Sequence, residues 1–152
     1  MLGGVKYHLA QYNIARLLEP LDSPRLADFM SALDPLNRLA DESPGFVWRH
    51  QAEDGNSTSI RVRGDPMIII NFSVWESIES LFEYAYHSPH VEIFRRRWDF
   101  FEHQTLPYLV LWWVPAGHEP SVAEAEERLD HLREHGPSPY AFTFKSRHLP
   151  PE

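Results

Sequence analysis

The chain has 152 residues, 43% hydrophobic and 24% charged, a composition that suits one globular domain (1–152) with a substantial core. Its net charge of −8 denies it the basic surface that nucleic-acid binding requires. The absence of Cys excludes disulfides, thiolate zinc sites and Cys nucleophiles.

Met1-Leu2-Gly3-Gly4 leads into a strand-like segment with no charged n-region or long apolar stretch, so no signal peptide is visible. The longest apolar run, 109–116, is too short to span a bilayer. The expected location is the cytoplasm. Aromatic residues reach 13%, with five Trp, a content that suits a lined cavity because these side chains give large contact area with few rotatable bonds.

In chain order, Val5, Tyr7 and Leu9 alternate with polar or small residues, predicting a strand over 5–14. Ser23-Pro24 then reads as an N-cap with proline at the first helical position. Leu26, Phe29, Met30, Leu33, Leu36 and Leu39 follow at helical spacing, with Pro35 expected to kink the helix or restart it at Asp34. A second strand is expected over 46–51, left through the turn-rich Asp54-Gly55-Asn56-Ser57. The third strand, 67–75, is the clearest.

Ile78, Leu81, Phe82 and Ala85 mark the next helix. Ser88-Pro89 opens another, carrying Val91, Phe94, Trp98 and Phe101. Pro107 precedes a fourth strand over 108–114. Ser121-Val122-Ala123-Glu124 has the form of a capping box at the start of a helix that stops at Gly136-Pro137, before a short strand over 140–144. The order strand–helix–strand–strand–helix–strand, with an extra helix and strand, is the ferredoxin-like α+β pattern: an antiparallel sheet with helices on one face. The other face needs cover, which two copies packed face to face supply as a dimeric α/β barrel.

The third strand carries the candidate site. Ile68, Ile70, Phe72 and Val74 form one wholly apolar set, as expected against helices. Met67, Ile69, Asn71, Ser73 and Trp75 form the other, with two hydrogen-bonding side chains among large apolar ones, as in many binding cavities. An inward Asn71 must meet protein, water or ligand. Internal pairing of Asn71 and Ser73 in a core is the competing reading. Strand one offers Gln11 and Asn13 on one face, strand two alternates Phe46, Trp48 and His50 with Val47 and Arg49, and strand four sends Trp112 and Trp113 to opposite sides. Which parity faces inward on these three strands stays open. His118, after Gly117, sits on a loop placed to close over a pocket mouth.

Several segments together carry a resemblance: His8-Leu9-Ala10-Gln11-Tyr12-Asn13-Ile14-Ala15-Arg16, Ser43-Pro44-Gly45-Phe46-Val47-Trp48-Arg49, Asn71-Phe72-Ser73-Val74-Trp75-Glu76-Ser77 and His87-Ser88-Pro89-His90. Leu111-Trp112-Trp113-Val114-Pro115-Ala116-Gly117-His118 and Tyr140-Ala141-Phe142-Thr143-Phe144 complete it. The chain resembles the domain-of-unknown-function 3291 family over about 7–144, a family with no general assigned reaction.

More coarsely, the strand ending in Trp75 and the helix after it are similar to the antibiotic-biosynthesis monooxygenase group of dimeric α/β barrels. Some members oxidise polycyclic phenols without metal or flavin, at a site lined by an Asn and a Trp. The resemblance implies that Asn71 hydrogen-bonds an enolate or dioxygen-derived species and that Trp75 packs an aromatic substrate. Other members of the superfamily bind or degrade haem. Asn13 matches their distal Asn, whereas the region of their proximal His reads Phe94-Arg95-Arg96-Arg97 here, and His87, His90 and His103 fall at other offsets.

His131 and His135 share a helix face at metal-ligand spacing but lie away from the apolar stripe, as a surface pair would. In the triple arginine, helical geometry aims the side chains in different directions, towards partners such as Glu92 and Asp99, with one left to reach a substrate anion. No phosphate-cradling glycine loop, nucleophile elbow or His-Glu-x-x-His occurs. The expected protein is a homodimer that binds a small apolar or aromatic molecule without a cofactor. Asn71 and Trp75 would take the catalytic positions, and Asn13, Trp48, Ser73, Trp112 and His118 would contact the substrate. The alternatives are a haem-binding protein or a non-catalytic binding or interaction module.

Overall fold

A computed structural model describes residues 6–50 and 65–151. The elements are β1 (Tyr7–Arg16), a short 3-10 turn (Pro24–Leu26), α1 (Ala27–Glu42), β2 (Phe46–Arg49), β3 (Ile68–Trp75) and α2 (Ile78–His87). Then come α3 (His90–Arg95), α4 (Arg97–Phe100), β4 (Leu109–Pro115) and α5 (Val122–His135). The strands form one antiparallel sheet in the order β2-β3-β1-β4, so the core of the chain has the expected ferredoxin-like α+β architecture. Met1 to Val5, Gln51 and the expected turn at Asp54-Gly55-Asn56-Ser57 lie outside the described residues. Among the described residues no helix is long and apolar enough to cross a membrane.

Both faces of the sheet are covered by helices of the same chain. Tyr12, Phe72, Val74 and Trp112 pack against Ala125, Leu129 and Leu132 of α5. The opposite face packs Leu9, Trp75 and Leu111 against Ala40 of α1 and Ile78 and Leu81 of α2. The apolar set on β3 therefore meets a helix as expected, but that helix is α5. The argument for a face-to-face dimer from an uncovered sheet does not hold, because α5 already seals that face.

Several local expectations are corrected by the structure. Pro35 neither restarts nor ends α1, which runs on from Ala27 to Glu42. Proline removes one N–H of the helix ladder and costs about 3 kcal/mol in an isolated helix interior. Packing of Phe29 and Ala40 on the sheet side holds the segment helical despite it. The helix expected after Ser88-Pro89 is two short ones, broken at Arg96 with φ −94° and ψ 12°. The final strand shrinks to isolated bridges, Leu111 with Phe142 and Ser138 with Ala141.

At the start of α5, Ser121 Oγ accepts from the Glu124 N–H at 3.1 Å, half of the expected capping box. The Glu124 carboxylate turns elsewhere. It accepts from the Trp112 indole N–H at 2.9 Å and meets His118 Nε2 at 2.8 Å, so it ties α5 to the buried sheet face.

The β2 entry depends on Gly45, whose φ of +82° favours glycine. Its carbonyl accepts from the Glu76 N–H at 2.7 Å. A Cβ at this position would overlap Cβ and Oγ of Ser80, which forms the reciprocal cap of α2 with Ser77. Gly45→Ala is expected to destabilise the fold by about 1–3 kcal/mol, read from the urea midpoint; an unchanged midpoint would show that the turn relaxes freely.

Candidate functional site

Strand register builds the floor of the site. Gln11 lies opposite Ser73, and Asn13 lies opposite Asn71. Their side chains share one face and form a chain of hydrogen bonds. Asn13 Nδ2 donates to Gln11 Oε1 at 3.1 Å, and Gln11 Nε2 donates to Asn71 Oδ1 at 2.5 Å and to Ser73 Oγ at 2.9 Å. Ser73 Oγ also accepts from the Trp75 indole N–H at 2.9 Å. With Gln11 oriented by both neighbours, Asn71 accepts through oxygen and its amide NH2 has no partner among the described residues. Asn71 is exposed, although Gln11 and Ser73 beside it are buried.

Helices supply the rest of the enclosure, a cavity of about 250 Å³ between this sheet face and α1, α2 and α3. Phe29, Leu33 and Leu36 line it from α1, Leu81 and Tyr84 from α2, and Ile93 and Phe94 from α3. Trp75 closes one wall, stacked on Tyr84 with centroids 5.3 Å apart and meeting Phe46 edge-on at 5.5 Å. Tyr84 donates to the Leu36 carbonyl at 3.0 Å, and burial pushes its phenol far up in pKa.

Four of the sequence candidates, Asn13, Asn71, Ser73 and Trp75, meet in this cavity. Three do not. Trp112 lies on the opposite sheet face with α5, and Trp48 packs on that same face, edge-on to Phe72 at 5.3 Å. His118 sits beside Glu124 at the start of α5 and is not among the lining residues. The reason for Trp48 is a register shift between Phe46 and Trp48, so that Phe46 pairs with Trp75 but Trp48 pairs with Val74. The shift breaks the alternation and sends the two aromatics to opposite sides.

The family is set by a sequence match. The family model described as "Domain of unknown function (DUF3291)" matches residues 8–152. The chain belongs to this family. No curated protein matches it. Among solved structures, the DUF3291 chain is similar to a protein of unknown function from Nitrosomonas europaea, with 14% identity, a TM-score of 0.50 and coverage of 78% of this chain and 99% of that one. A Pseudomonas aeruginosa protein gives 13% identity, 0.48, 76% and 100%. A proposed antibiotic biosynthesis monooxygenase from Nitrosomonas europaea gives 10% identity, 0.46, 80% and 100%. At such identity the likeness is one of fold.

Sequence reasoning passed over two cavity residues of the DUF3291 domain. Gln11, placed only as a neighbour, is the centre of the polar floor. His90 lines the cavity too, with its Nδ1 3.1 Å from the Ala85 carbonyl. The carbonyl accepts from Nδ1–H, which leaves the Nε2 lone pair as the acceptor of the ring. Its position in the first turn of α3 gave no signal, since the cavity wall there depends on how α3 docks.

Among the described residues, no three His, Asp or Glu side chains converge as a metal site. The rings of His131 and His135 lie 4.5 Å apart, tilted at 45°, and His131 also packs beside Tyr140. For the haem alternative, the imidazoles that line the cavity are His50 and His90; no step below runs through that group.

Burial lowers the His90 pKa, the backbone hydrogen bond to Ala85 opposing it in part. A base whose folded pKa is depressed stabilises the fold while neutral, above its unfolded value near 6.5. That contribution is lost as pH falls through the unfolded and then the folded value. The native chain is therefore expected to lose stability on acidification from about pH 7 to pH 5 more steeply than His90→Phe does, in urea titrations at each pH. Parallel pH profiles would show that His90 is not the group responsible.

Proposed function

We propose that this DUF3291 domain binds a small, largely apolar aromatic molecule in its cavity and acts on it as a cofactor-independent, monooxygenase-like enzyme. The observation that carries the reading is the Asn71 amide. It is held by Gln11 through its oxygen, leaving an N–H donor free at the rim of an aromatic enclosure. A donor fixed in place before reaction stabilises negative charge that develops on oxygen, without reorganisation cost.

In the proposed reaction a phenol ring carbon exchanges its C–H for C=O while the phenol O–H loses its hydrogen and becomes a second C=O, giving a quinone. Dioxygen is the oxidant; one of its atoms enters the product and the other leaves as water with the two hydrogens removed, so no external reductant is needed. Asn71 holds the enolate or dioxygen-derived oxygen. Trp75, 1% exposed with its indole N–H engaged by Ser73, backs the Tyr84 ring that lies against the substrate.

The fold likeness to the Nitrosomonas europaea protein of unknown function supports the architecture alone; the cavity residues support the chemistry. Oxygen consumption with a polycyclic phenol in air is the direct assay. Asn71→Ala is expected to lower turnover by about 10²-fold with a smaller change in KM, the pattern of a donor used in the transition state. Undiminished turnover would remove Asn71 from the mechanism.

A further inference from the structure

The triple arginine resolves into three different environments. Arg95 is exposed and meets Glu92 at 3.5 Å. Arg96 is exposed and bonds both Asp28 and Asp99 at 3.1 Å. Arg97 follows the break between α3 and α4, is half-buried, and lines the cavity. Its guanidinium carbon lies 4.1 Å from the Phe94 ring centroid and 4.7 Å from that of Trp98. Nη1 donates to the Phe94 carbonyl at 2.9 Å, while Nε is buried with no partner. Among the described residues Arg97 has no carboxylate within ion-pair distance.

The cavity wall as a whole shows the same imbalance. The sequence has 22 acidic and 14 basic residues, yet the described lining contains two arginines and no Asp or Glu. Arg49, the other arginine, is answered by Asp41 at 2.7 Å. One positive charge therefore remains unmatched in a largely apolar enclosure. Placing a cation there is costly, and the two ring faces offset only about 0.5–2 kcal/mol of it. Tyr86 and Tyr108 also line the cavity, and their hydroxyls have no hydrogen bond among the described residues.

We infer that the cavity takes an aromatic carboxylate, a monoanion seated with its charged end at Arg97 and its ring along the Trp75 and Tyr84 wall. This rests on the reading that the cavity binds a small aromatic molecule, and it adds the charge of that molecule. A carboxylate suits the site because a single guanidinium supplies one charge and paired donors in a plane. The Tyr86 and Tyr108 hydroxyls supply further neutral donors. A dianion would leave one charge unmatched in an apolar enclosure.

The test compares 2-naphthoate with 2-naphthamide, which has nearly the same shape and no charge, by calorimetric titration at pH 7.5. The native protein is expected to bind naphthoate about tenfold or more tighter, the scale of a hydrogen-bonded charge pair. Arg97→Met should bring naphthoate down to the naphthamide level, and Arg97→Lys should keep part of the preference. Equal affinity for the two probes in the native protein would overturn the inference and leave the cavity reading standing. A preference that survives in Arg97→Met would overturn it as well. Binding of neither probe would overturn both readings. The native comparison decides the matter even if Arg97→Met fails to fold.

Discussion

The Gln11 side-chain amide is the contact on which the site depends. It is 3% exposed, sits in the middle of the central strand, and bonds side chains on both strands of the β1–β3 pair. A buried primary amide left unpaired costs on the order of 1–3 kcal/mol, so the sequence around it must present matching partners at fixed register. Asn13, Asn71 and Ser73 are those partners. Once they are engaged, the orientation of each follows, including the direction in which Asn71 offers its remaining N–H. The polar floor is thus a single network rather than separate residues.

The two sides of the sheet serve different ends. Beneath α5 the packing is closed: Trp112, Phe72 and Tyr12 are buried, and the Trp112 indole N–H and the Tyr12 hydroxyl are tied to α5 through Glu124 and Glu126. Beneath α1, α2 and α3 the packing leaves a cavity, because an amide-bearing floor cannot be covered flush by apolar helix faces without stranding its donors. Aromatic side chains span the gap instead.

How much of this was legible in the sequence follows from the physics of each element. The strict alternation along β3 separated Ile70, Phe72 and Val74 from Asn71, Ser73 and Trp75 correctly, because side chains in a regular strand change sides at every residue. Gln11 and Asn13 shared a face for the same reason, although only pairing with β3 shows which one. The rule failed at β2, where the register shift at Val47 put Trp48 on the α5 side. It could not reach Arg97 or His90, whose positions depend on where the helical segment breaks at Arg96 and how α3 docks. The capping box at Ser121 misled in a different way, since Glu124 had tertiary partners that local sequence does not show.

The bond between the Trp75 indole and Ser73 has a consequence for selectivity. In the proposed complex Trp75, its only donor occupied, stands 1% exposed behind Tyr84, and the two stacked rings back a ligand with thickness and shape but no polarity. Such a wall cannot distinguish a hydroxyl from a hydrogen on the face of a ring lying against it. It can distinguish a planar ring from a puckered one, because only the former lies within dispersion contact across its whole area. The domain should therefore tolerate decoration around a ligand's edge and reject saturation of its rings.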